Sequence, residues 1–202
     1  MKKLLLWNFY SRKDVHSIFS PDTNFTPQSG TWGLQGIVRV PDREGDFVFF
    51  VTFGKSQGEH VFDESITEDG VLSWQSQPSQ GLKTEVIKTL INHDERLNNI
   101  HLFLRAKTGD GYGYFGTLGY LTHDTQREKP VHFQWQLMDW EAPNEFLRSV
   151  GVLPVEDAMT LSIVNKIKTK NAIEFVDPPS PRTRRIGTST VEFQTRKSPN
   201  YV

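Results

Sequence analysis

Phe47-Val48-Phe49-Phe50-Val51-Thr52-Phe53 is apolar at every position except Thr52. A strand half-exposed to water would alternate apolar and polar residues; this one does not, so both of its faces are buried and it lies centrally in a sheet. A charged turn at residues 41–45 precedes it and a turn at 54–58 follows. Working outward, residues 4–10 read as a short apolar strand. Ser11 is placed to cap a helix over 12–19, with Asp14 completing a capping box and Val15, Ile18 and Phe19 on the buried face. After a polar loop at 21–30, residues 32–40 predict a strand kinked at Gly33 and Gly36.

Downstream, 59–62 and 71–75 predict two strands joined by an acidic loop at 63–70, and 81–93 predicts a helix with Leu82, Val86, Ile87, Leu90 and Ile91 in one stripe. A strand at 100–105 and a turn at 107–111 lead to a strand at 112–121, coiled by Gly113, Gly116 and Gly119. Residues 131–138 alternate: Val131, Phe133, Trp135 and Leu137 on one face, His132, Gln134 and Gln136 on the other. Helices are expected at 142–150 and 155–168, with the body ending near Phe175. The sum is a β-dominated α+β fold, a coiled sheet or half-barrel with flanking helices.

Composition bounds the function. Of 202 residues, 36% are hydrophobic and 12% aromatic, enough for a core and too many aromatics for a disordered chain. Cysteine is absent, which excludes disulfide scaffolds, zinc fingers, thiol enzymes and iron–sulfur proteins. The net charge of −1 conceals an asymmetry: 178–202 carry five basic residues and one acidic, so the body before them is acidic. Leu4-Leu5-Leu6-Trp7 is too short for a leader or a membrane span, and the expectation is a cytoplasmic protein with no membrane partner.

The common catalytic signatures GxSxG, GxxxxGK[ST], HExxH and GxGxxG do not occur. Gly109-Asp110-Gly111-Tyr112-Gly113 precedes a strand and reads as a hairpin turn. No Asp…Glu-x-Lys set of the kind that holds magnesium in nucleases follows Pro41-Asp42. Six histidines are scattered without a short ligand pair; His101 and His132 are candidates to neighbour each other in the sheet, and satisfied structural histidines are the better reading. Neither a metal nor a cofactor is expected.

The informative run is His60-Val61-Phe62-Asp63-Glu64, then Asp69-Gly70-Val71-Leu72-Ser73-Trp74-Gln75-Ser76-Gln77. Two aromatics on adjoining strand ends can face each other across a cavity and hold a planar base, while a carboxylate beside them accepts from an exocyclic amine such as that of cytosine. The plain alternative is a hairpin with two core aromatics and a solvated acidic loop.

With Phe47–Thr52, this run resembles the SRA-type modified-base readers; Phe62 and Trp74-Gln75-Ser76 stand where those readers usually carry tyrosine and a Tyr-Thr-Gly-type turn. Ile91-Asn92-His93, Ile100-His101-Leu102-Phe103-Leu104-Arg105 and Tyr114-Phe115-Gly116 resemble stretches of SRA-like domains in modification-dependent, type IV-like restriction enzymes. Phe9-Tyr10-Ser11-Arg12-Lys13-Asp14-Val15 and Lys129-Pro130-Val131-His132-Phe133-Gln134-Trp135 resemble the C-terminal domain of restriction enzymes that join a phospholipase-D-type nuclease to a helicase.

The resemblance implies an SRA/PUA-like domain over 1–176 and a basic linker over 177–202 leading to a further, nuclease-like domain. It implies a non-catalytic specificity module that flips a modified cytosine, 5-methylcytosine or 5-hydroxymethylcytosine, out of double-stranded DNA. Phe62 and Trp74 would sandwich the base, Asp63 or Glu64 would accept from its amine, Gln75, Ser76 and Gln77 would complete the edge, and Val51 would receive a 5-methyl group. Arg12, Lys13, Arg39, Arg43, Lys55, Arg105 and Lys107 are the candidates for phosphate contact. The rival expectations are a nucleobase-processing enzyme using Asp63 or Glu64 as base, and a protein-interaction module with no DNA role.

Overall fold

The computed structural model describes residues 3–152 apart from 54, 55, 58, 59, 62, 63 and 68. In chain order the elements are β1 (Phe9–Tyr10), α1 (Arg12–Phe19), α2 (Gly30–Leu34), β2 (Ile37–Arg39), β3 (Phe47–Thr52), β4 (Ser56–Gln57), β5 (His60–Val61), β6 (Ser65–Ile66) and β7 (Val71–Gln75). There follow α3 (Glu85–Ile91), β8 (Ile100–Arg105), β9 (Tyr112–His123), β10 (His132–Leu137) and α4 (Asn144–Ser149). The expected helix at 155–168, the end of the body and the basic linker at 177–202 lie outside the described residues.

The fold is mixed α+β, built on an eight-stranded sheet in the order β2-β3-β8-β9-β10-β7-β6, with β1 added beside β9. As its unbroken apolar run requires, β3 is internal, paired antiparallel to β2 and parallel to β8. Its side chains divide between two cores. Phe47, Phe49 and Val51 join Leu72, Trp74, Leu102, Phe115, Phe133 and Trp135 on one face, closed by Ile87 and Leu90 of α3 and Phe146 and Leu147 of α4. Val48 and Phe50 join Val38, Phe103, Tyr112 and Tyr114 on the other, covered by Val15 of α1 and Trp32 of α2.

The first face is concave. Strands β3 and β7 stand four places apart, about 19 Å in a flat sheet at ~4.8 Å per strand. Yet the rings of Phe49 and Trp74 stack with centroids 4.7 Å apart, so the sheet curls until these strands face each other. Among the described residues it does not close into a barrel.

The curl originates in β9, whose register slips twice. One slip, opposite β8 between His101 and Phe103, coincides with Gly116 at φ +84°; the other lies against Gln134 and Trp135 of β10. An extra residue at each point bends the long strand, and Gly116 tolerates the left-handed backbone a bulge needs. Gly113 serves packing instead: a Cβ there would lie 2.5 Å from Cζ of Phe146.

Helix α1 has the expected capping box, with Ser11 Oγ accepting from the Asp14 N–H at 3.1 Å and the Asp14 carboxylate accepting from the Ser11 N–H at 3.0 Å. Three expectations shift. Of residues 4–10 only Phe9–Tyr10 is strand, because Trp7 takes φ +62° and turns the chain. In place of one kinked strand over 32–40, α2 ends at Leu34 and β2 begins at Ile37. The helix expected from Gly81 begins at Glu85, after Thr84 Oγ1 has accepted from the Gly81 N–H.

Candidate functional site

Strand β7 carries the residues that sequence singles out, and its alternation sorts them. Leu72 and Trp74 are in register with Trp135 and Phe133 of β10 and point into the concave core. Trp74 is 6% exposed; besides stacking on Phe49, its ring packs on Phe133 at 5.8 Å. One face of the indole expected to sandwich a base with Phe62 thus already has an aromatic partner inside the core. Val51, expected to receive a 5-methyl group, is likewise a concave-core residue. Ser76 is fully buried and structural, its Oγ accepting from the Val131 N–H and donating to the Gln80 carbonyl, both at 2.9 Å. Phe62, Asp63 and Lys55 lie outside the described residues.

The opposite, convex face of the same strands carries a polar strip. Register places Gln75 beside His132, Ser73 beside Gln134, and Ser65 of β6 on the other side of Ser73. Ser73, Gln75 and Gln134 are buried, and His132 is half-buried. The β3–β8 half of this convex face is apolar and helix-covered. The β7–β10 half instead buries three carboxamides, those of Gln75, Gln134 and Gln136, and a hydroxyl, and Ser73 Oγ has no hydrogen-bond partner among the described residues. Burying a hydroxyl without a partner costs stability, roughly 1–3 kcal/mol. The strip gathers hydroxyl, carboxamide and imidazole groups along about two strand repeats, the chemistry that recognises the edge of a planar polar ring.

The basic candidates separate. Arg39 and Arg43 lie at the amino end of β3, Arg39 paired with Phe47 and its guanidinium 5.0 Å from the Phe47 ring. Arg12, Arg105 and Lys107 lie at or near the other end, about 17 Å away along a six-residue strand. Lys13 is exposed on α1. At this second end the Arg12 guanidinium covers the Phe50 ring at 4.1 Å and the Tyr112 ring at 5.5 Å, and Arg105 covers Tyr112 at 4.3 Å. Burial holds the Arg12 guanidinium below its ordinary value, Tyr112 opposes this, and the nearby charge of Arg105 adds to it. Gln77 approaches the same end: its side-chain amide would lie 3.5 Å from a Cβ on Gly36, beside the Gln35 carbonyl that Arg12 holds.

A family model described as "Domain of unknown function (DUF3427)" matches residues 4–146. The chain belongs to the DUF3427 family. No curated protein matches it. The matched stretch of the DUF3427 domain runs from the lead-in of β1 into α4, so the polar strip and the paired arginines both fall within it.

Among the described residues of this DUF3427 domain no three His, Asp or Glu side chains gather as a metal site. His101 and His132 are not neighbours: β9 separates their strands, and they lie beside Thr117 and near His123, at different points along it. His101 bonds through Nδ1 to the Tyr114 hydroxyl at 2.9 Å; burial lowers its pKa to about 4 and raises that of Tyr114. Sequence reasoning missed Ser73 and Gln134 as site residues, although the alternation of 131–138 had set Gln134 off the core face. It missed Tyr112, because nothing local shows two cations converging on one ring.

Proposed function

We propose that this DUF3427 domain is a DNA-binding specificity module that recognises a modified cytosine, 5-methylcytosine or 5-hydroxymethylcytosine, flipped from duplex DNA. It would serve a modification-dependent restriction endonuclease whose nuclease is a separate, C-terminal domain. The observation that carries the reading is the buried polar strip on the convex face of β7 and β10. Ser73, Gln75 and Gln134 supply hydroxyl and carboxamide groups out of water, where hydrogen bonds discriminate most strongly between one base edge and another. Glu64, buried next to Ser65, is a carboxylate suited to a cytosine amine, the role expected of Asp63 or Glu64.

In this reading the stacking platform is Phe62, and Trp74 builds the core behind the strip. Flipping costs a few kcal/mol. Stacking on one aromatic returns roughly 1–3 kcal/mol, and phosphate contacts at the arginine end add to it. The module binds and does not cut. The test is a modified duplex carrying a fluorescent base analogue opposite the mark, titrated with the 202-residue chain in magnesium. A rise in fluorescence with intact strands supports the reading. Nicking by the chain, or binding without any fluorescence change at a modified site, sinks it.

A further inference from the structure

We propose that Arg12 and Arg105 together form an oxyanion site that takes a phosphate group at the carboxyl end of the parallel pair β3 and β8. This goes beyond base reading and stands whether or not the domain reads a modified base. Both side chains are half-buried. Arg12 donates through Nε to the Tyr112 hydroxyl at 3.3 Å and through Nη1 to the Trp32 and Gln35 carbonyls at 2.9 and 2.8 Å. Arg105 donates through Nε to Thr52 Oγ1 at 2.9 Å and through Nη1 to the Asp110 carbonyl at 3.4 Å.

In both, Nη2 has no partner among the described residues, and every group that holds them is neutral. Lys83–Glu128, Arg96–Asp94 and Arg127–Asp124 are ion pairs whose cations are largely exposed. The two half-buried guanidiniums are held by neutral groups alone. Both lie over the ring of Tyr112, so their charges are no further apart than those two ring distances allow. Nη2 of each arginine, with the second Nη1 hydrogen of Arg105, leaves charged donors for phosphate oxygens, and a shared anion relieves the repulsion between two cations partly out of water. Carbonyl capping explains Arg12 Nη1 but leaves Nη2 unused. Lys107, two residues beyond Arg105 in an exposed turn, adds charge of the same sign.

The ligand class is a phosphate-type oxyanion, either a backbone phosphodiester or a free phosphate. The experiment uses the 202-residue chain, Arg105→Gln, Arg105→Lys and Arg12→Lys. Thermal melting is followed against sodium phosphate, with chloride holding ionic strength constant, and binding to an unmodified duplex is followed by anisotropy across a salt series. For wild type, a saturable rise in melting temperature with phosphate is expected. Losing one charge-assisted fork should weaken binding about tenfold or more, and removing one phosphate contact on DNA should lower the salt slope by about 0.9.

Arg105→Lys keeps the charge without the fork, so it should hold the salt slope and still lose phosphate affinity. If phosphate competes with the duplex and Arg105→Gln weakens both, the occupant is a phosphodiester; if only phosphate binding responds, it is a free anion. Should Arg12→Lys fail to fold, the two Arg105 variants carry the test. No saturable phosphate shift in wild type, together with unchanged duplex binding in Arg105→Gln, overturns the site. Equal affinity for modified and unmodified DNA would sink base reading and leave this site standing.

Discussion

Truncating Trp74 to alanine separates a core residue from a pocket wall. The indole is 6% exposed, stacks on Phe49 at 4.7 Å and packs on Phe133 at 5.8 Å, so truncation opens a cavity where the sheet folds over itself. Large-to-small aromatic changes in a core cost about 3–5 kcal/mol. Against a total stability on the order of 5–15 kcal/mol this is a large fraction. For a domain of this size each kcal/mol moves the melting temperature by about 2–4 °C, so Trp74→Ala should melt about 6–20 °C lower. Phe50→Ala, on the convex core, should lose a similar amount of stability, and because its ring carries Arg12 it serves as a control for stability only. Melting by circular dichroism gives the stability, and duplex anisotropy well below the midpoint gives binding by the fraction still folded. That fraction should bind DNA with near wild-type affinity. A Trp74→Ala protein that melts like wild type but loses its preference for modified DNA would refute the core assignment and restore the indole to the pocket.

Gly113→Ala should destabilise the domain by about 1–3 kcal/mol, because its Cβ would meet Cζ of Phe146 at 2.5 Å and Cγ1 of Val150 at 2.9 Å and push α4 away; Phe146→Leu should restore part of the loss in urea unfolding, and a neutral Gly113→Ala would show that α4 does not pack there. Stability should also fall with acid: burial holds folded His101 at about 4 against 6.5 unfolded, so the unfolded chain binds the extra proton between those values. The contribution is intact above pH 6.5 and declines toward pH 4, by up to about 3 kcal/mol, with His93 and His123 shifted the same way by burial. His101→Gln should flatten the decline seen by urea unfolding at pH 7.5, 5.5 and 4.5, and an unchanged slope would refute the assignment.

The legible parts of the fold were those governed by local rules. The apolar run at Phe47–Thr52 declared a central strand, and Ser11 with Asp14 declared the start of α1, because strand burial and helix capping are written in neighbouring residues. The glycines of β9 announced a coiled strand, though not that Gly116 would carry the bulge and Gly113 admit a phenyl ring. At 32–40 the helical turn of α2 was missed because its single buried apolar residue, Trp32, gives no period to read.

The site was less legible. An aromatic in a promising run reads the same whether it faces a ligand or the core, and only the curl that brings β3 over β7 decides for Trp74. The polar strip was half visible: alternation put Gln134 off the core face, but a polar strand face normally meets water, and its burial is a property of the assembled sheet. Arg12 and Arg105 were among seven basic candidates, and their distinction is a tertiary contact through Tyr112 across ninety-three residues of sequence.

The most direct test of the proposed function is one set of titrations: the 202-residue chain against a single duplex sequence carrying cytosine, 5-methylcytosine or 5-hydroxymethylcytosine at the same position, at fixed salt. Buried hydrogen bonds and stacking together are worth about 1.4 kcal/mol or more in discrimination, so one modified duplex should bind at least about tenfold tighter than the unmodified one. Equal dissociation constants for all three duplexes would contradict the account.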